Sequence, residues 1–196
     1  MSAEKAALRR AIRARFPGKA QRDAQSERIC HAIAQSPLFY CANVIGGYMP
    51  MAREADITPL LRLALAQGKT LLLPKVEGTR QLSMRRIDSL SALVCGAYGI
   101  AEPPADNPVV SPDAMDLLLT PLEGIDPAGI RLGKGGGYYD ALLPLKNGVA
   151  LGCALPWQWV AQVPRESWDI PLDACTDGEE IRYFAADKVR CQYHER

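Results

Sequence analysis

The amino-acid sequence predicts an α/β fold in which helices cover both faces of a largely parallel sheet. Short apolar runs of strand length alternate along the chain with longer stretches of helical character, and this alternation is typical of parallel sheets. The chain has 196 residues, enough for one sizeable core, and it contains no internal repeat or low-complexity linker. We therefore expect residues 1–196 to form a single domain.

The expected elements follow from apolar periodicity and from the positions of Pro and Gly. Three helices with definite bounds are predicted, at residues 3–14, 20–35 and 57–66, and a further helix is expected after the glycines at 135–137. Six strands are predicted, at residues 43–49, 70–73, 82–85, 117–120, 148–154 and 181–184. Pro74 is expected to end the second strand, and the Pro- and Gly-rich segments 98–104 and 108–112 are expected to be loops.

Composition argues against several classes of partner. Lys and Arg number 23 against 22 Asp and Glu, so neither nucleic acid nor a membrane surface is a predicted partner. No apolar run is long enough to span a bilayer, and the basic N-terminus lacks the apolar core of a signal peptide. The six scattered cysteines form no C-x-x-C pair, so we expect reduced thiols in the cytoplasm rather than a zinc site or disulfides.

The most distinctive segment is the Gly-rich stretch from Arg131 to Asp140, RLGKGGGYYD, which follows a buried strand and precedes a predicted helix. Its glycines allow backbone N–H groups to surround a phosphate, and Arg131 and Lys134 add positive charge. Tyr138 and Tyr139 offer flat surfaces for a purine or a pterin. The pattern is neither a Walker A loop nor G-x-G-x-x-G. A tight connection without a ligand is the alternative, and the flanking charged and aromatic residues favour ligand binding.

Other candidate residues indicate a function less strongly when each is considered alone. Lys5 and Arg9 share one helix face, where they would grip a polyphosphate or simply form a solvated basic face. Glu54 follows a predicted strand, where a carboxylate would meet the N–H donors of a pterin or begin a helix capped by Asp56.

Two aspartates are candidate magnesium ligands, because enzymes that use ATP hold magnesium through one or two carboxylates. These are Asp140 and Asp169, and the alternative for each is a surface acid or a helix cap. Cys30 and His31 are adjacent within a predicted helix, so their side chains diverge and a nucleophile–base pair is not expected.

Taken together, the motifs resemble those of the 5-formyltetrahydrofolate cyclo-ligase family, in order along nearly the whole chain. The most specific is Asp126-x-x-Gly129-x-Arg131-Leu132-Gly133-x-Gly135-x-Gly137-Tyr138-Tyr139-Asp140. The others are Lys5-x-x-Leu8-Arg9, Tyr48-x-Pro50 with Glu54-x-Asp56, Leu73-Pro74-Lys75-Val76, Tyr98-Gly99-Ile100-x-Glu102-Pro103, Val163-Pro164, Asp169 and Asp173.

The resemblance implies a three-layer α/β/α sandwich and a reaction that consumes ATP with Mg²⁺. In that reaction, 5-formyltetrahydrofolate is phosphorylated on its formyl oxygen, and N10 then attacks to give 5,10-methenyltetrahydrofolate. ADP and phosphate are released. The resemblance also implies a cytoplasmic enzyme acting on a small molecule, and we expect a monomer.

The resemblance also implies roles for individual residues. Arg131, Lys134 and Tyr138 would be catalytic, Asp140 and Asp169 would bind magnesium, and folate would contact Met49, Glu54, Lys134 and Tyr138. ATP would contact Lys5, Arg9, Arg131, Leu132, Gly133, Lys134, Gly135, Gly136, Gly137, Tyr138 and Tyr139. Lys134 departs from the Arg of many members, which replaces a bidentate grip with a point charge. Gly136 stands where some members carry Lys.

Two other functions remain open at this point. One is a different ATP- or phosphosugar-handling α/β enzyme that uses the same loop without folate specificity. The other is a catalytically silent folate-binding protein, against which the intact Arg131, Tyr138, Tyr139 and Asp140 argue.

Overall fold

The structure is a computed structural model that describes residues 2–185, and its centre is an eight-stranded sheet. The described residues form twelve strands: β1 (Val44–Gly46), β2 (Thr70–Gly78), β3 (Gln81–Ile87), β4 (Val94–Cys95), β5 (Ala101–Glu102), β6 (Val109–Val110), β7 (Leu117–Thr120), β8 (Gly124–Ile125), β9 (Arg131–Leu132), β10 (Val149–Cys153), β11 (Ala174–Thr176) and β12 (Ile181–Tyr183). The main sheet has the order β12-β11-β10-β7-β1-β2-β3-β6, while β4–β5 and β8–β9 are separate two-stranded hairpins.

The interior of the main sheet is parallel and its margins are antiparallel. Strands β11, β10, β7, β1 and β2 pair in parallel. Strand β12 pairs antiparallel with β11 at one margin, and β3 and β6 continue antiparallel from β2 at the other. The residues of β7 and β10 are buried throughout, as expected for strands covered on both faces.

Helices and loops cover the two faces of the sheet. The helices are α1 (Ala3–Ala14), α2 (Lys19–Ala34), α3 (Pro37–Cys41), α4 (Thr58–Ala66) and α5 (Tyr138–Leu142). One face packs against α2, α3 and α4 through residues such as Ile33, Phe39 and Leu61. The other face packs against α5 and the β8–β9 hairpin, whose Leu132 in turn contacts Ile12 of α1. The predicted α/β fold with a largely parallel central sheet is confirmed.

Several predicted boundaries need correction. The strand expected at residues 43–49 is only three residues long, and that expected to stop before Pro74 continues to Gly78. The segments 98–104 and 108–112, predicted as loops, contain β5 and β6. The three predicted helices lie within one residue of α1, α2 and α4.

Local capping explains where the helices begin. Ser2 accepts a hydrogen bond from the Glu4 amide at the start of α1, and Ser36 accepts one from Phe39 at the start of α3. Pro37 and Pro59 occupy first-turn positions, where a missing N–H costs nothing. Between residues 2 and 185 there is no helix with the length and apolar character needed to cross a membrane.

Candidate active site

A cavity of about 570 Å³ opens at the carboxyl ends of β1 and β7, the usual place for ligands in open parallel sheets. Segments that follow these strands contribute Tyr48, Glu54 and Pro121 to its wall. The cavity is also lined by every residue for which the sequence predicts a site role: Lys5, Arg9, Met49, Glu54, Arg131, Leu132, Gly133, Lys134, Gly135, Gly136, Gly137, Tyr138, Tyr139, Asp140 and Asp169.

The Gly-rich loop runs from β9 directly into α5. Gly135 and Gly137 have φ angles of 104° and 70°, in the left-handed region that other residues avoid. The turn before β9 is held by Asp126, whose carboxylate accepts hydrogen bonds from the amides of Ala128, Ile130 and Val163. The helix after the loop is only five residues long. Phosphate binding here would therefore depend on the loop and its cations more than on a helix dipole.

Arg131 lies buried in the cavity wall. Its Nη2 donates to Asp140 Oδ1 at 2.6 Å, and its guanidinium carbon lies 5.6 Å from the centre of the Tyr139 ring. Its Nε is buried and has no hydrogen-bond partner among the residues described. Gly133 leaves room for this side chain, because an added Cβ would lie 2.6 Å from Arg131 Nη1. A buried arginine that lines the cavity beside a glycine loop is an environment that suits an anionic ligand.

Lys5 and Arg9 project from α1 into the same cavity, and both are buried, so the alternative of a solvated basic face is wrong. Lys5 Nζ donates to Asp169 Oδ2 at 2.6 Å and to Glu166 Oε2 at 2.9 Å. Burial lowers the pKa of Lys5, but these hydrogen bonds outweigh burial and leave the pKa raised. Arg9 Nε donates to the carbonyl of Gly133 at 2.7 Å. Helix α1 therefore fastens the 166–169 segment and the Gly-rich loop.

Glu54 is a cavity residue rather than the start of a helix. Its Oε1 lies 3.1 Å from Lys134 Nζ, and its Oε2 accepts a hydrogen bond from the Met51 amide at 2.8 Å. Asp56, expected as the helix cap, accepts a hydrogen bond from the Thr58 amide, but the N-cap position of α4 is held by Ile57, which has no capping side chain, so the expected cap is wrong. The ion pair joins the Gly-rich loop to the segment after β1, which brings the predicted ATP and folate residues together.

The two tyrosines of the loop differ in environment. The Tyr138 hydroxyl lies 2.9 Å from that of Tyr98, and the two rings meet edge to face with centroids 6.3 Å apart. This hydrogen bond raises the pKa of Tyr138. The Tyr139 residue is half-buried, and desolvation of its hydroxyl raises the pKa of that hydroxyl well above the ordinary range. Tyr138 therefore offers its ring at the open part of the cavity, while Tyr139 supports Arg131.

The cavity residues to which the sequence analysis gave no role include Arg80, Tyr98, Glu166 and Trp168. Tyr98 belongs to a motif that carried the resemblance, and its φ of 59° holds the ring at the rim, but the motif itself indicated no role. Arg80, Glu166 and Trp168 lie in turns and loops that carry no periodic pattern, so no local signal could have identified them. Cys30 is buried and His31 exposed, which leaves them without a shared site, as expected.

The carboxylates fit a magnesium ion that takes most of its ligands from phosphates and water. Asp140 and Asp169 both line the cavity and supply the hard oxygen atoms that Mg²⁺ prefers. Among residues 2–185 no group of three or more His, Cys, Asp or Glu side chains is arranged to hold a metal ion. Each aspartate is paired with a cation, Arg131 or Lys5, so binding of magnesium would require an exchange of partners.

Comparisons with known proteins identify relatives of this chain. A 5-formyltetrahydrofolate cyclo-ligase of Escherichia coli (strain K12) is 32% identical over 151 residues, covering 74% of this chain and 83% of the relative. One of Haemophilus influenzae is 31% identical over 170 residues, covering 83% of this chain and 90% of the relative. The NMR structure of an Aquifex aeolicus 5,10-methenyltetrahydrofolate synthetase superposes with a TM-score of 0.82 at 35% identity, covering 92% of each chain.

A more distant structure shares the fold. It is a 5,10-methenyltetrahydrofolate synthetase from Mycoplasma pneumoniae, with a TM-score of 0.70 at 21% identity, covering 88% of this chain and 97% of the other. The model of the 5-formyltetrahydrofolate cyclo-ligase family matches residues 1–177. This chain belongs to the 5-formyltetrahydrofolate cyclo-ligase family.

Proposed function

We propose that this protein uses ATP to convert 5-formyltetrahydrofolate into 5,10-methenyltetrahydrofolate, ADP and phosphate. The observation that carries the proposal is the single cavity in which a Gly-rich loop, buried cations and the Glu54 carboxylate meet. A cavity of about 570 Å³ lies in the range of pockets that hold small-molecule substrates. Family membership supports the same activity.

The chemistry needs activation of a poor leaving group. The oxygen of the N5-formyl group leaves only with difficulty, so the γ-phosphoryl group of ATP is transferred to that oxygen, with release of ADP. N10 then attacks the activated formyl carbon and closes the ring, and a proton is lost from N10. Departure of the oxygen as inorganic phosphate completes the methenyl bridge. This route needs positioning and charge neutralisation rather than an enzyme nucleophile.

The cations of the cavity have distinct tasks in this proposal. Arg131, which lines the cavity beside the Gly-rich loop, binds the transferring phosphoryl group together with Lys134. Lys5 binds an ATP phosphate, and Arg9 holds the Gly133 carbonyl so that the loop amides keep their orientation. Asp140 and Asp169 would hold magnesium, which supplies charge neutralisation on the phosphates when bound.

Folate recognition is assigned to the segment after β1. Glu54 accepts hydrogen bonds from the pterin N–H groups, and Met49 provides an apolar contact nearby. Tyr138 presents its ring to the substrate and helps position it against the loop. Lys134 belongs to the ATP loop, and its Nζ lies 3.1 Å from Oε1 of Glu54, the carboxylate that faces the pterin in this proposal, so Lys134 serves both substrates.

The proposal includes the expected assembly and location. A monomer of one domain, acting in the cytoplasm on a small molecule without nucleic acid or membrane, is what the sequence predicts. Size-exclusion chromatography with light scattering at several protein concentrations tests the monomer. A stable dimer at micromolar concentration would contradict it.

The decisive experiment is a spectrophotometric assay of the purified protein with 5-formyltetrahydrofolate, ATP and Mg²⁺. The chromophore of the methenyl product should appear only with ATP present, with one ADP released per product. Folate binding without product would indicate a catalytically silent folate-binding protein. ATP turnover that is indifferent to folate would indicate a different ATP- or phosphosugar-handling enzyme.

A further inference from the structure

One cation of the cavity differs from the others in having no partner. Lys5, Arg9, Arg131 and Lys134 each donate to a carboxylate or a carbonyl of the protein. Arg80 also lines the cavity, yet among residues 2–185 its guanidinium makes no hydrogen bond or ion pair. The proposed reaction assigns it no task.

The backbone holds Arg80 in a conformation that directs it to this position. It is the second residue of the two-residue turn between β2 and β3, where Gly78 pairs with Gln81, and its φ is 58°. Residues other than Gly, Asn and Asp seldom adopt this region. Its side chain lies against the Gly-rich loop, because an added Cβ at Gly137 would fall 2.9 Å from Arg80 Nε.

The hairpin that carries Arg80 contributes two apolar side chains, Val76 and Leu82, to the cavity wall. Tyr138, which follows Gly137 in the chain, also lines the cavity, and its ring meets that of Tyr98 edge to face. The Glu102 carboxylate, another cavity residue, accepts a hydrogen bond from the Ala97 amide at 3.1 Å and lies 3.5 Å from Lys75 Nζ, so it is already paired. An unpaired guanidinium at the end of an apolar wall suits a flat ring that is followed by a carboxylate.

We infer that Arg80 binds a carboxylate of the glutamate tail of the folate substrate, and so sets the preference for substrates with that tail. The inference rests on the proposed function, whose substrate carries an aminobenzoyl ring followed by glutamate. ATP phosphate is the other anion available, but Lys5, Arg131, Lys134 and the loop amides already face it in that proposal. Arg80 stands on an exposed hairpin turn, where a tail leaving the cavity would pass.

The test compares substrates with and without the tail. With Arg80→Ala, KM and the dissociation constant of 5-formyltetrahydrofolate should rise about tenfold, the effect of losing one charge-assisted hydrogen bond. The values for a simple amide of 5-formyltetrahydropteroic acid, which lacks both the glutamate and the free carboxylate of pteroate, and for ATP should stay unchanged. Arg80→Gly, which suits the positive φ, should behave like Arg80→Ala. The matched control is Arg86→Ala, on the same hairpin but paired with Asp88.

Three outcomes would overturn the inference. They are an equal loss with the tail-less substrate, a rise in KM for ATP instead of folate, and normal binding by Arg80→Gly, which would indicate backbone conformation rather than charge. Dissociation constants measured without ATP keep this test separate from the proposed activity. A wild-type protein that binds the tail through Arg80 but forms no methenyl product would refute only the activity.

Discussion

The ammonium nitrogen of Lys5 lies 2.6 Å from Oδ2 of Asp169, although 164 positions separate the two residues in the chain. Lys5 is the proposed partner of an ATP phosphate, and Asp169 is a proposed ligand of magnesium. In the protein without ligands, Lys5 and Asp169 form a hydrogen-bonded ion pair, and Arg131 and Asp140 form another at 2.6 Å. When ATP binds, the cations turn to its phosphates and the aspartates are left free for magnesium, and when magnesium binds, the cations are left free for ATP. Binding of either one therefore favours binding of the other.

This exchange gives the first prediction, on magnesium dependence. Asp169→Asn should raise the magnesium concentration that gives half-maximal rate, because an amide oxygen is a weaker ligand than a carboxylate. It should also strengthen binding of ATP in the presence of EDTA, because Lys5 loses a competing carboxylate. Magnesium titration of initial rates and calorimetry of ATP binding measure the two effects.

Asp140→Asn should likewise raise the magnesium requirement. The matched control is Asp113→Asn, an exposed acid outside the cavity, which should change neither quantity. An Asp169→Asn variant with the magnesium curve of the wild type would leave Asp140 as the only proposed protein ligand.

The second prediction concerns Arg9 and the shape of the Gly-rich loop. Arg9→Ala should raise KM for ATP about tenfold, since a hydrogen bond from a charged donor contributes about 1.5–3 kcal/mol. KM for 5-formyltetrahydrofolate should change far less. Arg9→Lys should not restore ATP binding, because the donor to Gly133 is Nε, which lysine lacks at that position.

Arg10→Ala is the control for loss of charge on the same helix, because Arg10 is exposed. If Arg9→Ala keeps the ATP kinetics of the wild type, its contact with the loop has no part in ATP binding.

The sheet was largely predictable because its inner strands are buried on both faces, so that Leu117–Thr120 and residues 148–154 appear as continuous apolar runs. Pro74 misled the prediction for a topological reason. In a strand, the backbone N–H and C=O groups of residues i and i+2 point to the same neighbouring strand, and the carbonyl of Leu72 points toward the β1 side. The backbone of Pro74 therefore also faces that side, but β1 pairs with β2 only as far as Leu72. The N–H that Pro74 lacks would have had no partner there, so β2 continues beside β3 without a lost hydrogen bond.

The site was predictable to a different extent. The Gly-rich stretch and the Lys5/Arg9 spacing are local patterns, and they mark residues that do line the cavity. Ion pairs between distant segments, such as Lys5 with Asp169, depend on tertiary packing that no local period encodes. Arg80 carries no local signal at all, because only the hairpin turn and the approach of Gly137 bring it to the cavity.

The third prediction concerns the cysteines. Burial raises the pKa of Cys30 to about 11 and also raises the pKa of Cys153 and Cys175. At pH 8 only about one Cys30 side chain in a thousand is then a thiolate, the reactive form. Among the five cysteines of residues 2–185, alkylation of the native protein should therefore modify the exposed Cys95 first and the half-buried Cys41 more slowly. Peptide mapping by mass spectrometry measures the order.

The same pKa shift predicts a loss of stability at high pH. The folded protein holds the Cys30 proton more tightly than the unfolded chain, in which the pKa has its ordinary value of 9.0. This stabilising contribution is complete below pH 9 and is lost as pH rises toward 11. Urea unfolding at several pH values tests it, with Cys30→Ala as the comparison. Rapid labelling of Cys30 in the native state at pH 8 would refute the burial argument.

The last prediction concerns Glu54 and its ion pair with Lys134. Glu54→Gln keeps an oxygen that accepts from the Met51 amide but removes the charge that faces Lys134. It should weaken binding of 5-formyltetrahydrofolate by about 1–3 kcal/mol, because pterin donors lose a charge-assisted partner. Binding of ATP should survive or strengthen slightly, since Lys134 becomes free to face a phosphate. Calorimetry with each ligand separately measures both effects.

A double-mutant cycle separates the ion pair from the direct contact with folate. If Lys134 acts on folate mainly by orienting Glu54, then Lys134→Met should cost little folate affinity once Glu54→Gln is present. Glu27→Gln, on the exposed side of α2, controls for loss of a carboxylate and should match the wild type. Equal weakening of folate and ATP by Glu54→Gln would point to a distorted cavity rather than a lost pterin contact. In that case, thermal unfolding of the variant should show a lowered Tm, because the Met51–Glu54 segment would no longer hold its turn.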